Sequence, residues 1–311
     1  MQSPRRANKT IFFLAIYMIV SNLLIGILIE LIVPGANVII LTGIFQIVGL
    51  LVPFLFYLLV TKQSIKNVLE WKGLSLKNAL FVIVISIAIL PMIQIIFFLS
   101  SFIFVPVVVD FAAEVALVPF WLAILVVAVF PSVFEEIWFR GALFKEYRAG
   151  GVSIHKVAII TGIFFGLMHL NFNQAIYAAS IGILYAYILY YTRSILAPML
   201  AHFINNGLSS VSAMSESYMY WSYGLQENPF TFLLTMGIAT LVMVPVAVFC
   251  MMQFKKHHAN TEPKQETVMD YNNESASPKP KLLTWGFWAA LAVFLLFTVI
   301  MEFALRIYGT L

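Results

Sequence analysis

Three short stretches of this 311-residue chain carry groups able to do chemistry in otherwise apolar surroundings. The first is Phe134-Glu135-Glu136-Ile137-Trp138-Phe139-Arg140-Gly141. The second is Phe165-Gly166-Leu167-Met168-His169, and the third is His202-Phe203-Ile204-Asn205-Asn206. A carboxylate and an imidazole around one water can take its proton and turn it into a nucleophile. A second imidazole and an amide can donate hydrogen bonds to the oxyanion that forms when such a water attacks a carbonyl. Together these are the parts for hydrolysing a peptide bond. Read as a metal site, the same residues offer Glu135, His169 and His202, enough donors for a catalytic zinc with an open position. The helical signature of soluble zinc peptidases, two His flanking a Glu, is absent. No serine stands in a nucleophile elbow, and the one cysteine, Cys250, has no His nearby except the pair His257 and His258.

Spacing assigns these groups to faces. Glu136 and Arg140 are four apart, hence on one helical face and able to pair. Glu135 points about 100° away and is the freer carboxylate. His202 and Asn206 share a face in the same way, with Ser194 and Pro198 upstream marking a helix start. Asn205 points elsewhere and reads as a packing residue. Gly162 and Gly166 would let a neighbouring helix approach closely. Each cluster alone also has a plain structural reading: a salt bridge at a helix end, a hydrogen-bonded contact between helices, or polar glue.

The elements that must position these groups are membrane helices. The chain is 62% hydrophobic and 10% charged, against about 25% charged in a soluble domain. That excludes an ordinary globular protein, a disordered chain and a nucleic-acid partner. The expected class is an all-α polytopic membrane protein, a bundle in the lipid bilayer with its site inside the helical core. A bilayer core needs roughly 20 apolar residues per helix. Nine spans are expected, with eight as the alternative count: about Ile11–Val33, Val38–Val60, Leu80–Val105, Val118–Phe139, Val157–Leu170, Ala175–Tyr191, Ile195–Met214, Phe230–Phe254 and Leu282–Leu305. The first, preceded by Arg5, Arg6 and Lys9 and lacking a cleavage site, reads as a retained signal anchor.

In this nine-span frame all but one of the 18 Lys and Arg fall on one side, the exception being Arg306. The other side carries Asp110, Glu114, Glu216 and Glu227 and the aromatic cluster Tyr218, Tyr220, Trp221 and Tyr223. The bias predicts a cytoplasmic N-terminus, and a plasma-membrane location if the source is prokaryotic. It also fixes depth. Glu135 lies 13 residues before Arg148, and His169 lies 13 after Lys156. Both are therefore roughly 20 Å from one hairpin loop. His202 and Asn206 lie roughly 14 and 20 Å beyond Arg193. Three clusters on three helices reach one level, nearer the cytoplasm if Gly141–Arg148 projects from the membrane.

The chain divides into residues 1–114 (three spans, with a basic loop at 61–79), a core at 115–210, residues 211–254 (outer loop and eighth span), a polar linker at 255–281 expected to be disordered, and a last span at 282–311. His257 and His258, at the start of the linker, are expected to be solvated.

Glu-Glu-x-x-x-Arg at 135–140, Phe-x-x-x-His at 165–169 and His-x-x-x-Asn at 202–206 resemble, in order and spacing, the three motifs of the CPBP family. These are the CAAX proteases and bacteriocin-processing enzymes, also called Abi, which include the Rce1-like prenyl endopeptidases. Phe-Arg-Gly at 139–141 and Leu-Ala-Pro-x-Leu-Ala-His at 196–202 strengthen the resemblance, which covers about residues 115–210. The linker at 255–281 and the ninth span lie outside it.

The resemblance implies an intramembrane endopeptidase acting on a membrane-associated peptide or protein substrate. It implies that Glu135 and His169 activate water and that His202 and Asn206 form the oxyanion hole, with Glu136, Arg140 and Phe165 in support. The family has been described both as metal-dependent and as glutamic. The expectation here is no cofactor, with zinc on Glu135, His169 and His202 as the alternative. Two other functions remain open on the residues: a non-proteolytic immunity or regulatory partner on the same scaffold, and a proton-coupled transporter, for which Glu30 and the Glu302/Arg306 pair would be further candidates.

Overall fold

The computed structural model describes residues 4–69, 71–215, 228–261 and 281–308. It is all-helical among these residues. The main helices are α1 (Pro4–Ile32), α2 (Val38–Thr61), α3 (Leu76–Ser101), α4 (Phe120–Ala149), α5 (Ile154–Leu167), α6 (Phe172–Thr192), α7 (Leu196–Ala213), α8 (Pro229–Thr261) and α9 (Trp285–Tyr308). Each expected span is one of these helices. Seven are long and apolar enough to cross a membrane, and the protein is an integral, multi-pass membrane protein. The other two are α5, with 14 residues, and α7, with 18. α7 fails on composition, since His202, Asn205, Asn206 and three serines at 209, 210 and 212 dilute its apolar character.

Local chemistry sets the boundaries. Asn37 caps α2 by accepting from the Ile39 N–H at 2.8 Å, and Asn171 caps α6 by accepting from the Gln174 N–H at 2.9 Å. Such caps satisfy N–H groups that a helix start leaves orphaned. α3 is interrupted at Ile89, just ahead of Pro91. Gly166 and Gly162 do bring two helices together. A β-carbon at Gly166 would stand 2.3 Å from the Ala175 carbonyl oxygen, and one at Gly162 2.6 Å from Ile183. α5 and α6 therefore touch backbone to backbone.

Several expectations are corrected. The fourth span does not end at Phe139 but runs on to Ala149. Its last turns are held by Arg6 and Tyr57, whose Nε and hydroxyl donate to Glu146 Oε1 at 2.8 and 2.6 Å, and by the Tyr147 hydroxyl, which donates to Asn8. The basic loop after α2 contains a short helix, Ile65–Leu69, whose Val68 and Leu69 are buried against α4 while Ile65, Lys66 and Asn67 stay exposed. A further helix, Val107–Val115, occupies the connection before α4. The linker does not begin at 255, because α8 continues to Thr261. His258 is buried there against the rings of Tyr190 and Tyr191. The rest of the linker and the cluster Tyr218, Tyr220, Trp221 and Tyr223 lie outside the described residues, as do Glu216 and Glu227.

The two ends of the bundle are stitched differently. At the basic end, Lys145 donates to the Asn67 carbonyl, Ser194 to the Lys72 carbonyl, and Asn8 to Leu282 and Thr284. At the other end, Glu114 accepts from Asn37, while Glu302 accepts from the Val105 N–H at 3.1 Å and from Arg306 at 2.9 Å. Rows of exposed Leu, Ile, Val and Phe on α1 and α8 form the outer surface, as lipid-facing helices require.

Candidate active site

The site is built where α4, α5, α6 and α7 meet. Glu135 and Glu136 close an α-helical stretch, Phe130–Glu136, flanked by two wider π-helical stretches, Ile124–Val129 and Ile137–Leu143. Such insertions re-aim side chains and recur at functional sites. Glu136 is fully buried. Its Oε1 accepts from Arg140 Nη1 at 3.1 Å and from His202 Nδ1 at 2.9 Å. Arg140 is buried too. Its Nη2 donates to the Gly182 carbonyl at 2.7 Å, and its guanidinium lies 4.5 Å from the Phe165 ring centre. Glu135, by contrast, keeps a buried Oε2 with no hydrogen-bond partner, 4.0 Å from His202 Nε2. A carboxylate oxygen buried without a donor is costly and marks a functional candidate.

α7 supplies the other wall. The carboxylate of Glu136 can only accept, so His202 Nδ1 carries the proton on that side. Asn206 Nδ2 contacts His202 Nε2 at 3.2 Å and donates to the Val127 carbonyl at 2.9 Å. That carbonyl is available because Pro131, four residues on, lacks the N–H that an α-turn would direct to it. Asn205 is more than a packing residue. Its Nδ2 donates to the Tyr185 hydroxyl at 2.8 Å, and the Tyr185 ring lies against both His202 and Arg140. Sequence reasoning missed Tyr185. Its only signal is a hydroxyl in the middle of an apolar helix.

His169 sits in the turn just beyond α5. Its Nδ1 faces the carbonyls of Phe165 and Gly166 at 2.9 and 3.2 Å. Carbonyls only accept, so Nδ1 bears the hydrogen and Nε2 carries the lone pair. The turn is fixed by Asn171, whose Nδ2 donates to the Val105 carbonyl at 2.9 Å, and it contains Leu170 in a left-handed conformation, φ 52°. Phe165 is the common neighbour, with its ring centre 5.6 Å from that of His169 and 5.7 Å from that of His202. The structure thus brings Glu135, Glu136, Arg140, Phe165, His202 and Asn206 together. It places His169 across Phe165 from His202, bonded to main chain and not to Glu135.

Among the described residues no three His, Cys, Asp or Glu side chains form a group able to hold a metal ion.

These features define a polytopic membrane protein with a buried carboxylate, imidazole and amide cluster inside its helices. Residues 117–208 match the family model described as type II CAAX prenyl endopeptidase Rce1-like, so this segment is similar to that family. No curated protein and no solved structure matches the chain.

Proposed function

We propose that the chain is an intramembrane endopeptidase in which Glu135 and His169 activate water and His202 and Asn206 hold the oxyanion. The observation that carries this reading is the pair of adjacent buried carboxylates with opposite fates. Glu136 is consumed by Arg140 and His202, while Glu135 keeps an unpartnered oxygen beside an imidazole. In the reaction Glu135 takes a proton from water as the water oxygen bonds to the scissile carbonyl carbon. The lone pair on His169 Nε2 orients that water. The carbonyl oxygen, now negative, receives a hydrogen bond from Asn206 Nδ2, which exchanges its contact to His202 Nε2 for the oxyanion, and a second from His202, whose Nε2 must then carry a hydrogen besides the one that Nδ1 gives to Glu136. The carbon–nitrogen bond then breaks, and Glu135 returns its proton to the leaving amine.

No step needs a metal or other cofactor. The substrate is a membrane-associated peptide or protein, with CAAX-type prenylated chains and bacteriocin-like peptides as the two classes the family offers. The basic end of the bundle faces the cytoplasm by the positive-inside rule, which places the N-terminus there and, in a prokaryote, the protein in the plasma membrane.

The test compares the peptide termini of membrane proteins from cells making the wild type with those from cells making Glu135→Gln at matched levels. Termini that disappear with the variant identify both the activity and the substrate. Identical termini from two folded, abundant proteins would instead favour a non-proteolytic partner or a proton-coupled transporter.

A further inference from the structure

Residues 62–77 join α2 to α3 at the basic end of the bundle and have two unlike faces. The inner face is packed. Val68 and Leu69 are buried against α4, where a β-carbon at Gly141 would stand 3.5 and 2.9 Å from them. Lys145 of α4 donates to the Asn67 carbonyl, and Ser194, just ahead of α7, donates to the Lys72 carbonyl at 2.7 Å. The segment is thus held by α4 on one side and by the entry to α7 on the other.

The outer face is apolar and basic at once. Ile65 is 52% exposed, Trp71 57% and Leu76 76%. Interleaved with them are Lys62, Lys66, Lys72 and Lys77, all exposed, and the segment's sequence holds one acidic residue, Glu70. Single exposed apolar side chains are ordinary on a soluble surface, so position decides what these three meet. α2 ends at Thr61 and α3 begins at Leu76, which puts the segment where two spans leave the hydrocarbon. Its contact on α4, Gly141, comes eight residues before the end of that helix at Ala149, hence roughly 12 Å below it. The segment is recessed toward the bilayer, not projected from it. Trp favours this boundary because its ring is apolar with one polar edge. Lys suits it because the stem can lie on apolar surface while the ammonium reaches outward.

We propose that residues 62–77 are an interfacial anchor seated in an anionic lipid leaflet. Ile65, Trp71 and Leu76 enter the layer of glycerol and first acyl carbons, and the four lysines meet the phosphates. A cluster of lysines next to a span is drawn to anionic lipid by the negative surface potential, and apolar burial adds to the hold. The anchor's inner face bears on Gly141, six residues beyond Glu135, and on Ser194, eight before His202. It therefore rests against the two helices that supply most of the candidate site. The anchor does not depend on which reaction that site performs.

Nitroxide labels on the full chain in nanodiscs test it. They are placed at Ile65→Cys and Leu76→Cys, each in a Cys250→Ala background, with Lys156→Cys at an exposed position of α5 as the aqueous reference. Collision with dissolved oxygen reports lipid, and collision with a neutral nickel chelate reports water. In phosphatidylcholine mixed with phosphatidylglycerol, both labels should favour oxygen while the reference favours the chelate. In phosphatidylcholine alone the oxygen preference at both labels should fall on the order of fivefold or more, the effect of at least one lost lysine–phosphate contact. Lys62→Gln/Lys66→Gln/Lys72→Gln/Lys77→Gln should show that lower preference in both bilayers. If this variant does not fold, the comparison of the two bilayers decides by itself. Labels that favour the chelate in both bilayers overturn the proposal, and so does an oxygen preference indifferent to phosphatidylglycerol. Labels shielded from both reagents would place a protein, a partner or a second copy, over the segment and overturn it as well.

Discussion

Nδ1 of His202 lies 2.9 Å from Oε1 of Glu136, and the same oxygen accepts from Arg140 at 3.1 Å, so an acid, a cation and an imidazole share one buried atom. Glu136 is thus the anchor of α7 against α4 as well as the partner of Arg140. The two neighbouring carboxylates should separate cleanly on mutation. Glu136→Gln leaves Arg140 buried without a counter-charge, and removal of one partner of such a pair costs about 3–5 kcal/mol. Its thermal unfolding temperature should fall sharply. Glu135→Gln replaces an unpartnered buried oxygen with a neutral amide, so its unfolding temperature should match or exceed the wild type while peptidase activity disappears. Equal destabilisation of both variants would contradict the division of roles.

Asn206 stands between the Val127 carbonyl and His202, and its first partner exists because Pro131 cannot supply an N–H. Asn206→Ala should lower stability by about 1–3 kcal/mol by orphaning that carbonyl. Adding Pro131→Ala restores the missing donor. The double variant should recover much of the stability and none of the activity. Denaturation and peptidase assays on the four proteins of this cycle would separate the two roles. Recovered activity in the double variant would mean that Asn206 acts through the backbone alone.

Much of this architecture was legible in the sequence. The nine apolar runs became nine helices because a buried helix needs little beyond length and apolar character. Gly162 and Gly166 foretold the α5–α6 contact because spacing alone puts them on one face. The pairing of Glu136 with Arg140 followed from the four-residue interval. Three things were not legible. The extension of α4 to Ala149 depends on Arg6 and Tyr57 reaching Glu146 from other helices, and no local pattern records that. The burial of His258 depends on the ends of α6 and α8 meeting. The support of His202 by Tyr185 and Asn205 is a contact between side chains 20 residues apart in the chain, invisible until the helices are packed.

Val105 is gripped from both sides, its N–H by Glu302 of α9 at 3.1 Å and its carbonyl by Asn171, two residues beyond His169. The last helix therefore steadies the turn that carries the candidate base partner. Glu302→Ala should reduce turnover several-fold by loosening that turn, a loss of roughly 1 kcal/mol in positioning, with little change in apparent substrate affinity. Asn171→Ala should do the same, and the two effects should not add. Additive losses would show that the two grips act independently.

In the proposed mechanism Glu135, His169, His202 and Asn206 supply every catalytic group, so the expected activity is indifferent to chelation. Purified protein treated with 1,10-phenanthroline and then freed of the chelator should cleave at its original rate, and added zinc should not raise it. A loss that zinc alone restores would reassign Glu135, His169 and His202 as metal ligands.

The close contact of α5 with α6 sets the position of His169, since Gly166 is both the tightest point of that contact and one of the two carbonyls facing the imidazole. Gly166→Ala would force a β-carbon to 2.3 Å from the Ala175 carbonyl oxygen. Backbone cannot yield as a flexible side chain would, so the helices must part. Overpacking of this kind costs about 1–3 kcal/mol. The variant should unfold at a lower temperature and lose activity out of proportion to its loss of folded protein, because His169 moves with the end of α5. Gly237→Ala, where a β-carbon meets nothing within 4 Å, is the matched control and should leave both properties intact. If Gly166→Ala retained full activity in its folded fraction, the placement of His169 would not depend on this contact, and its assignment to the reaction would lose its structural basis.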